Sequence, residues 1–269
     1  MAMMVVLAAV LLTYGVSPGI AMKTGRSGAV AGKDSVLPLD MAQNSVDDMY
    51  NGCQQAMKEK VKKEYLQNEK EADKAFRDIW DKSVSDVHIP FWRWFTEVLK
   101  KKQIVAVRTY TDDSVFRDFN DAVQTQGPQY KTTFRYHALH FLLTTAIQKL
   151  RASEGKECPT VYRRVNEYFS QDVENKEIRF GRFTSASQGG YADKMFGEKS
   201  CFEIFTCMGA DISRYSKYLN EAEVLIPPYE VFKVVKIERP TTKSPCEVVY
   251  KVKSTENYVS KLNCALVPK

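Results

Sequence analysis

The sequence predicts an α+β domain: a helical first half packed on a mostly antiparallel sheet. Three observations carry that expectation. Apolar residues recur at helical spacing up to about residue 152. Short β-branched or aromatic segments take over after Cys158. The six cysteines, an even number, are spread over most of the 269 residues, as in a single stapled domain. Helices followed by strands, without regular alternation, make an α+β chain.

The elements follow in order. From Met57, apolar residues recur at Val61, Tyr65, Ala72, Phe76, Ile79 and Trp80 with charges between them, which predicts an amphipathic helical stretch. Ile104 to Tyr110 reads as a short strand. Asp112, Asp113 and Ser114 offer capping oxygens before Val115, Phe116, Phe119, Ala122 and Val123, which predicts a second helix. Gly127-Pro128 breaks the chain. Ala138 to Ala152, with Leu139, Leu142, Ala146, Ile147 and Leu150, predicts a third. Then Val161–Val165, Ile178–Ser185, Cys201–Met208, Val231–Ile237 and Val248–Val252 read as strands joined by turns. No repeat, low-complexity segment or linker interrupts this order, so one catalytic domain over residues 39–267 is expected.

Composition narrows the class. Hydrophobic residues at 44% and charged residues at 27% are ordinary for a soluble globular protein. The net charge of +6 comes without a dense basic stripe. The run Lys58–Lys63, with Glu59 and Glu64 among its lysines, suits a charged helix face, and nucleic acid is not an expected partner. Val5–Leu12 is almost wholly apolar and is followed by Ser17, Gly19 and Ala21. That suggests a secretory signal over residues 1–21, with Ala29-Val30-Ala31 as a later cleavage site near residue 31. The apolar run is shorter than the roughly 20 residues that span a bilayer. Secretion is therefore expected, with membrane association through an uncleaved N-terminal segment as the alternative. Asn263–Lys269 is not a hydrophobic tail, so no stable anchor at that end is expected. An even cysteine count behind a leader suggests three disulfides, and six cysteines admit fifteen pairings. No CxxC pair supports zinc. His137 and His140 lie three apart on the third predicted helix without a carboxylate cluster, so packed or surface histidines are expected and no metal.

Three features could carry chemistry. Arg163 sits inside a predicted strand, Arg179–Ser187 ends in hydroxyls, and Glu221-Ala222-Glu223 runs straight into Val224-Leu225-Ile226-Pro227-Pro228-Tyr229-Glu230. Singly each has a bland reading: a salt-bridged surface arginine, a turn, a solvated loop. Their order, Arg then Ser then Glu-x-Glu, resembles the arginine-specific mono-ADP-ribosyltransferases of vertebrates and certain toxins. Further blocks resemble the same family. They are Leu39-Asp40-Met41-Ala42 with Asp47–Cys53, Ala138–Thr144 and Glu223–Glu230, so the likeness runs from about Leu39 to Val267.

The resemblance implies an NAD-binding cleft in the sheet. NAD, with NADP left open, is then a substrate and no cofactor stays bound. The implied activity cleaves the nicotinamide–ribose bond and transfers ADP-ribose to arginines of extracellular protein acceptors, by a secreted monomer. Arg163 would hold the pyrophosphate through paired guanidinium hydrogen bonds. Glu223 would stabilise the oxocarbenium-like ribose. Ser185 would position that ribose and help hold Glu223. Glu221 would bind the incoming guanidinium, and residues two apart on a strand share a face. A ring to stack on nicotinamide is implied after Ser185: Phe196, ahead of Tyr191, with Gly189-Gly190 giving the loop freedom. The implied disulfides are Cys53–Cys264, Cys158–Cys207 and Cys201–Cys246.

The chain departs from the family pattern in places. Arg164 replaces a glycine whose backbone contacts nicotinamide, so the NAD-binding set reads Arg163, Arg164, Ser185, Phe196 and Glu223. Ala186 and Ala222 replace a common serine and glutamate. Strand alternation directs the Arg164 side chain away from the face of Arg163, and Arg164→Gly is expected to preserve or raise activity. The alternatives are an NAD glycohydrolase and a catalytically weak or non-enzymatic relative that binds a partner.

Overall fold

The computed structural model describes residues 36–90, 96–218, 222–239 and 245–267. The predicted leader, ending near residue 21 or 31, and Glu221 lie outside them. The periodic stretch from Met57 becomes α1 (Gln54–Lys60), a π turn at Val61–Tyr65, α2 (Leu66–Ala72) and α3 (Lys74–Asp86). The break falls at Asp73, whose carboxylate caps α3 by accepting from the Phe76 N–H at 3.0 Å. Further on come α4 (Lys101–Tyr110), α5 (Asp113–Thr125) and α6 (His137–Ser153). Asp112 caps α5, accepting from the Ser114 N–H at 3.0 Å. The start of α6 is capped from a distance: buried Glu69 of α2 accepts from the N–H groups of Ala138 and Leu139. Among the described residues no helix is long and apolar enough to cross a membrane.

Helix α4 corrects the expected strand at Ile104–Tyr110. The segment is buried on nearly every side, from Gln103 to Val107 and at Thr109 and Tyr110, so its apolar run carries no clean period. Packing against α3, α5 and α6 overrides the β-branched preference. The missed signal is Gln103, whose side-chain oxygen accepts from the Lys100 N–H at 3.1 Å as the return half of a capping box.

The strands are β1 (Val36–Leu37), β2 (Thr160–Val165), β3 (Tyr168–Phe169), β4 (Glu177–Ile178), β5 (Thr184–Ser187), β6 (Ser200–Phe205), β7 (Ala210–Asp211), β8 (Glu223–Ile226), β9 (Glu230–Glu238) and β10 (Val248–Tyr258). Eight of them form one sheet in the order β4-β9-β10-β6-β2-β5-β8-β7, antiparallel except between β6 and β10. β1 and β3 pair separately. Two expected strands are shorter than predicted. Ile178–Ser185 divides into β4 and β5 at Gly181, which has φ +68 and lies where an added Cβ would sit 2.4 Å from that of Ala42. Cys201–Met208 ends at Phe205, because Glu230 curls the chain into a turn. Its buried carboxylate accepts from the Thr206 hydroxyl at 2.6 Å and from the N–H groups of Cys207 and Met208 at 2.7 and 3.1 Å.

The sheet has two parts. β2 meets β5 through one Cα pair, Tyr162 opposite Ser187. Val161, Phe202, Ile204 and Phe232 of the larger part share a core with Ala186, Val224 and Ile226 of the smaller. Leu225, Ala210 and Phe183 pack instead into the helical core. The short strands β5, β8 and β7 are therefore sandwiched between the helices and the rest of the sheet.

Three disulfides join Cys53 to Cys264, Cys158 to Cys207 and Cys201 to Cys246, the pairing that the resemblance implies. Each closes a long loop and contributes about 2–4 kcal/mol. Beside the first, Asp48 accepts from the N–H groups of Tyr50 and Cys264 and from the Tyr130 hydroxyl. Burial pushes its carboxyl up to about 6 from an unfolded value of 3.8. The fold thus favours the protonated form, a contribution that is whole below the unfolded value and is lost as pH rises through about 6. Asp48→Asn is expected to gain roughly 1–3 kcal/mol on the wild type between about pH 4 and pH 7.5. Urea midpoints at each pH read this, and a constant difference would remove Asp48 as the titrating group.

Candidate active site

The site gathers where β2, β5 and β8 meet the helices. Sheet register places Tyr162 opposite Ser187 and Ser187 opposite Glu223, so these three side chains share one face. Glu223 is 2% exposed, and its Oε2 accepts from the Ser216 hydroxyl at 3.0 Å. The residue before it, Ala222, has φ +44, a left-handed conformation that non-glycine residues seldom adopt. Ser185, two residues before Ser187, is buried, and its side chain lies beside the Tyr110 hydroxyl.

Tyr110 and Asn120 were not singled out in the sequence. Asn120 donates to the Tyr110 hydroxyl at 3.1 Å and accepts from the Phe183 N–H at 3.1 Å, while Tyr110 donates to the Phe183 carbonyl at 3.2 Å. Together they fix the start of β5 against α4 and α5. The available signal was Asn120 itself, a polar residue four after Phe116 on an otherwise apolar helix face. No local pattern marks Ser216.

Arg163 is 7% exposed and donates to the Ser185 carbonyl at 2.6 Å. Burial works against its charge; nearby Tyr110, Glu167 and Glu223 work for it. The guanidinium also lines a cavity of about 370 Å³. Its walls include Leu39, Phe169 and Phe180, with Gln124, Glu167 and Arg182 among the polar groups. Neither Ser185 nor Glu223 reaches this cavity, so it lies to one side of the carboxylate.

Arg164 takes another direction. It pairs with Cys201 across the sheet, and its guanidinium donates to the carbonyls of Pro245 at 2.7 Å and Gly197 at 3.3 Å. It also lies 5.6 Å from the centre of the Tyr191 ring. Tyr191 packs edge-on against Tyr162 at 4.9 Å and beside the Cys201–Cys246 bridge. That ring is committed to the sheet. Phe196, half-buried at the end of the 3₁₀ turn Lys194–Phe196, is the other ring of the loop. Gly197 (φ +133) presses so closely on β2 that an added Cβ would lie 2.3 Å from the Val165 carbonyl carbon.

The side chain of Arg164 therefore clamps the base of the Phe196 loop. This argues against the expectation that Arg164→Gly is harmless. Arg164→Ala is expected to cost about 1–3 kcal/mol of stability and to loosen the Phe196 loop. Thermal melting and limited proteolysis check both, and unchanged values would remove the clamp.

His140 and His137 are packing residues. His140 is buried, with Nδ1 2.7 Å from the Tyr50 hydroxyl and Nε2 3.0 Å from the Val46 carbonyl. His137 lies among the rings of Tyr65, Tyr130 and Phe134. Among the described residues, no group of three or more His, Cys, Asp or Glu could hold a metal ion.

The sandwiched sheet with its helical wall and the family comparison together place this chain in the ADP-ribosyltransferase class of enzymes. The chain belongs to the family described as NAD:arginine ADP-ribosyltransferase, whose model matches residues 39–255. It is 34% identical over 254 residues to the GPI-linked NAD(P)(+)–arginine ADP-ribosyltransferase 1 of Mus musculus, covering 86% of this chain and 76% of that protein. It is 31% identical to the ecto-ADP-ribosyltransferase 4 of Homo sapiens, across 95% of this chain and 82% of that one. The crystal structure of the eucaryotic mono-ADP-ribosyltransferase ART2.2 matches with a TM-score of 0.64 at 28% identity, covering 85% of this chain and 98% of its own. A glutamate mutant of that enzyme, at a TM-score of 0.57, is in complex with NAD.

Proposed function

We propose that this protein cleaves the nicotinamide–ribose bond of NAD and transfers the ADP-ribose to arginine side chains of extracellular proteins. The observation that carries this reading is the Glu223 carboxylate, buried, held by a hydroxyl and within electrostatic reach of Arg163. Losing nicotinamide leaves positive charge on the ribose, and a fixed carboxylate in a dry site stabilises it far better than water would. The bond from ribose to nicotinamide breaks with its electron pair on nicotinamide. A guanidinium nitrogen of the acceptor then bonds the ribose and gives up a proton. Glu221 is the proposed partner of that guanidinium. Ser185, beside Tyr110, is the proposed support for the ribose, and Phe196 the ring for nicotinamide.

Arg163 lies between the two regions, which orients the dinucleotide. With the pyrophosphate on Arg163 and the nicotinamide ribose at Glu223, the adenosine half extends into the 370 Å³ cavity that Glu223 does not reach. Arg182, half-buried in that wall, donates to Gln124 and lies 3.9 Å from Asp121, and it is the proposed cation for the added phosphate of NADP. Three disulfides suit an oxidising, extracellular setting. The catalytic unit is proposed to span residues 39–267.

The test incubates the purified protein with NAD, with and without a small guanidino compound. Nicotinamide release that rises with the acceptor, together with a labelled guanidino product, is the expected result. Release that ignores the acceptor would make water the acceptor, and no release would leave only a binding protein. Glu221→Gln is expected to lower product formation more than nicotinamide release. Equal losses would remove its role.

A further inference from the structure

We infer that Ser216 is a positioning residue for the reaction, fixing the Glu223 carboxylate from outside the sheet. The inference rests on the proposed role of Glu223. Ser216 is fully buried, and its Oγ accepts from the Tyr218 N–H at 3.1 Å. A serine hydroxyl has a single proton to give, and here it goes to Glu223 Oε2 at 3.0 Å. A donor held in this way favours the charged carboxylate and restricts its rotation.

The hydroxyl can do this because its own segment is pinned at several points. The Ser216 N–H donates to the Ile212 carbonyl at 2.9 Å, and the Ile212 N–H donates to the Glu223 carbonyl at 2.9 Å, closing a small ring of backbone around the contact. Outside that ring the helical wall takes over. The Lys217 N–H donates to the Thr111 hydroxyl at 3.0 Å, and its ammonium meets Asp112 at 2.9 Å. Tyr215 donates to Glu97. Asp112 is also the cap of α5, so the helix start, the segment and the carboxylate form one connected path. The side chain of Ser185, which the resemblance implies as a support for Glu223, lies beside Tyr110. Among the described residues, Tyr110 from α4 and Arg163 from β2 are charged or titratable groups that also bear on Glu223.

The test compares wild type, Ser216→Ala, Ser216→Thr and Glu223→Gln for nicotinamide release from NAD between about pH 5 and pH 8. Ser216→Ala is expected to lower kcat about 10- to 100-fold with KM within about threefold, and to move the acidic limb of the kcat profile up by about one pH unit. Ser216→Thr, which keeps the hydroxyl, is expected to restore most of both. An unshifted acidic limb in Ser216→Ala, or a loss that Ser216→Thr leaves unrestored, overturns the inference. Should Ser216→Ala melt below the assay temperature, Ser216→Cys, a slightly larger side chain with a weaker donor, takes its place and is read by the same criteria. An inactive Glu223→Gln beside an unaffected Ser216→Ala overturns this inference alone. An active Glu223→Gln overturns the underlying reading and the inference with it.

Discussion

Glu223→Gln is expected to lower nicotinamide release about a thousandfold or more while leaving the melting temperature within a few degrees of wild type. The amide matches the carboxylate in size and keeps an oxygen to accept from Ser216. What it loses is the negative charge opposite the developing cation, and that charge counts most where water is excluded. Burial of Glu223 at 2% exposure makes the substitution a test of charge with little confounding by packing. Single-turnover release of nicotinamide, followed beside a thermal melt, separates the two effects. Activity near wild type would mean that the reacting sugar lies elsewhere.

Arg179→Met is expected to be the costliest of these substitutions for stability, at about 3–5 kcal/mol. The guanidinium is buried and ties three parts of the chain together. It donates to the carbonyls of Met41 and Ala42 at 2.8 and 3.0 Å, to Val259 at 3.1 Å and to Asp47 at 3.0 Å. Both charged side chains are almost fully enclosed. Methionine would fill much of the volume but would leave Asp47 as a buried anion without its counter-charge. Denaturant unfolding measures the loss. Adding Asp47→Asn should recover part of it, because the uncompensated charge is then gone. A single-variant loss under about 1 kcal/mol, or a double variant no better than the single, would show that this ion pair does not hold the chain ends in place.

Much of the fold was legible because its elements have clean periods and caps. Asp112 announced α5, and the apolar spacing through Leu139, Leu142 and Leu150 announced α6. Failure came where burial erased the period. α4 is enclosed by three helices, so a run such as Ile104-Val105-Ala106-Val107 looks the same to a strand and to a helix. Strand ends failed for another reason. The turn after Phe205 is made by the carboxylate of Glu230, more than 20 residues further along the chain.

The candidate site divides in the same way. Arg163, Ser185 and Glu223 were legible as a family pattern, and the structure brings their strands together. Their supports were not. Tyr110, Asn120 and Ser216 act through contacts between distant segments, which no local spacing records. The environment of Arg164 was also hidden, because Gly197 and Pro245 reach it from two separate loops.

The bridge from Cys53 to Cys264 spans 211 positions and encloses every catalytic candidate. A tensile load applied through the segments just outside those two cysteines would be borne by the sulfur–sulfur bond. The enclosed chain would stay slack. In a force-extension measurement the oxidised protein should therefore release almost no contour length, and after reduction the same pull should unravel some 200 residues.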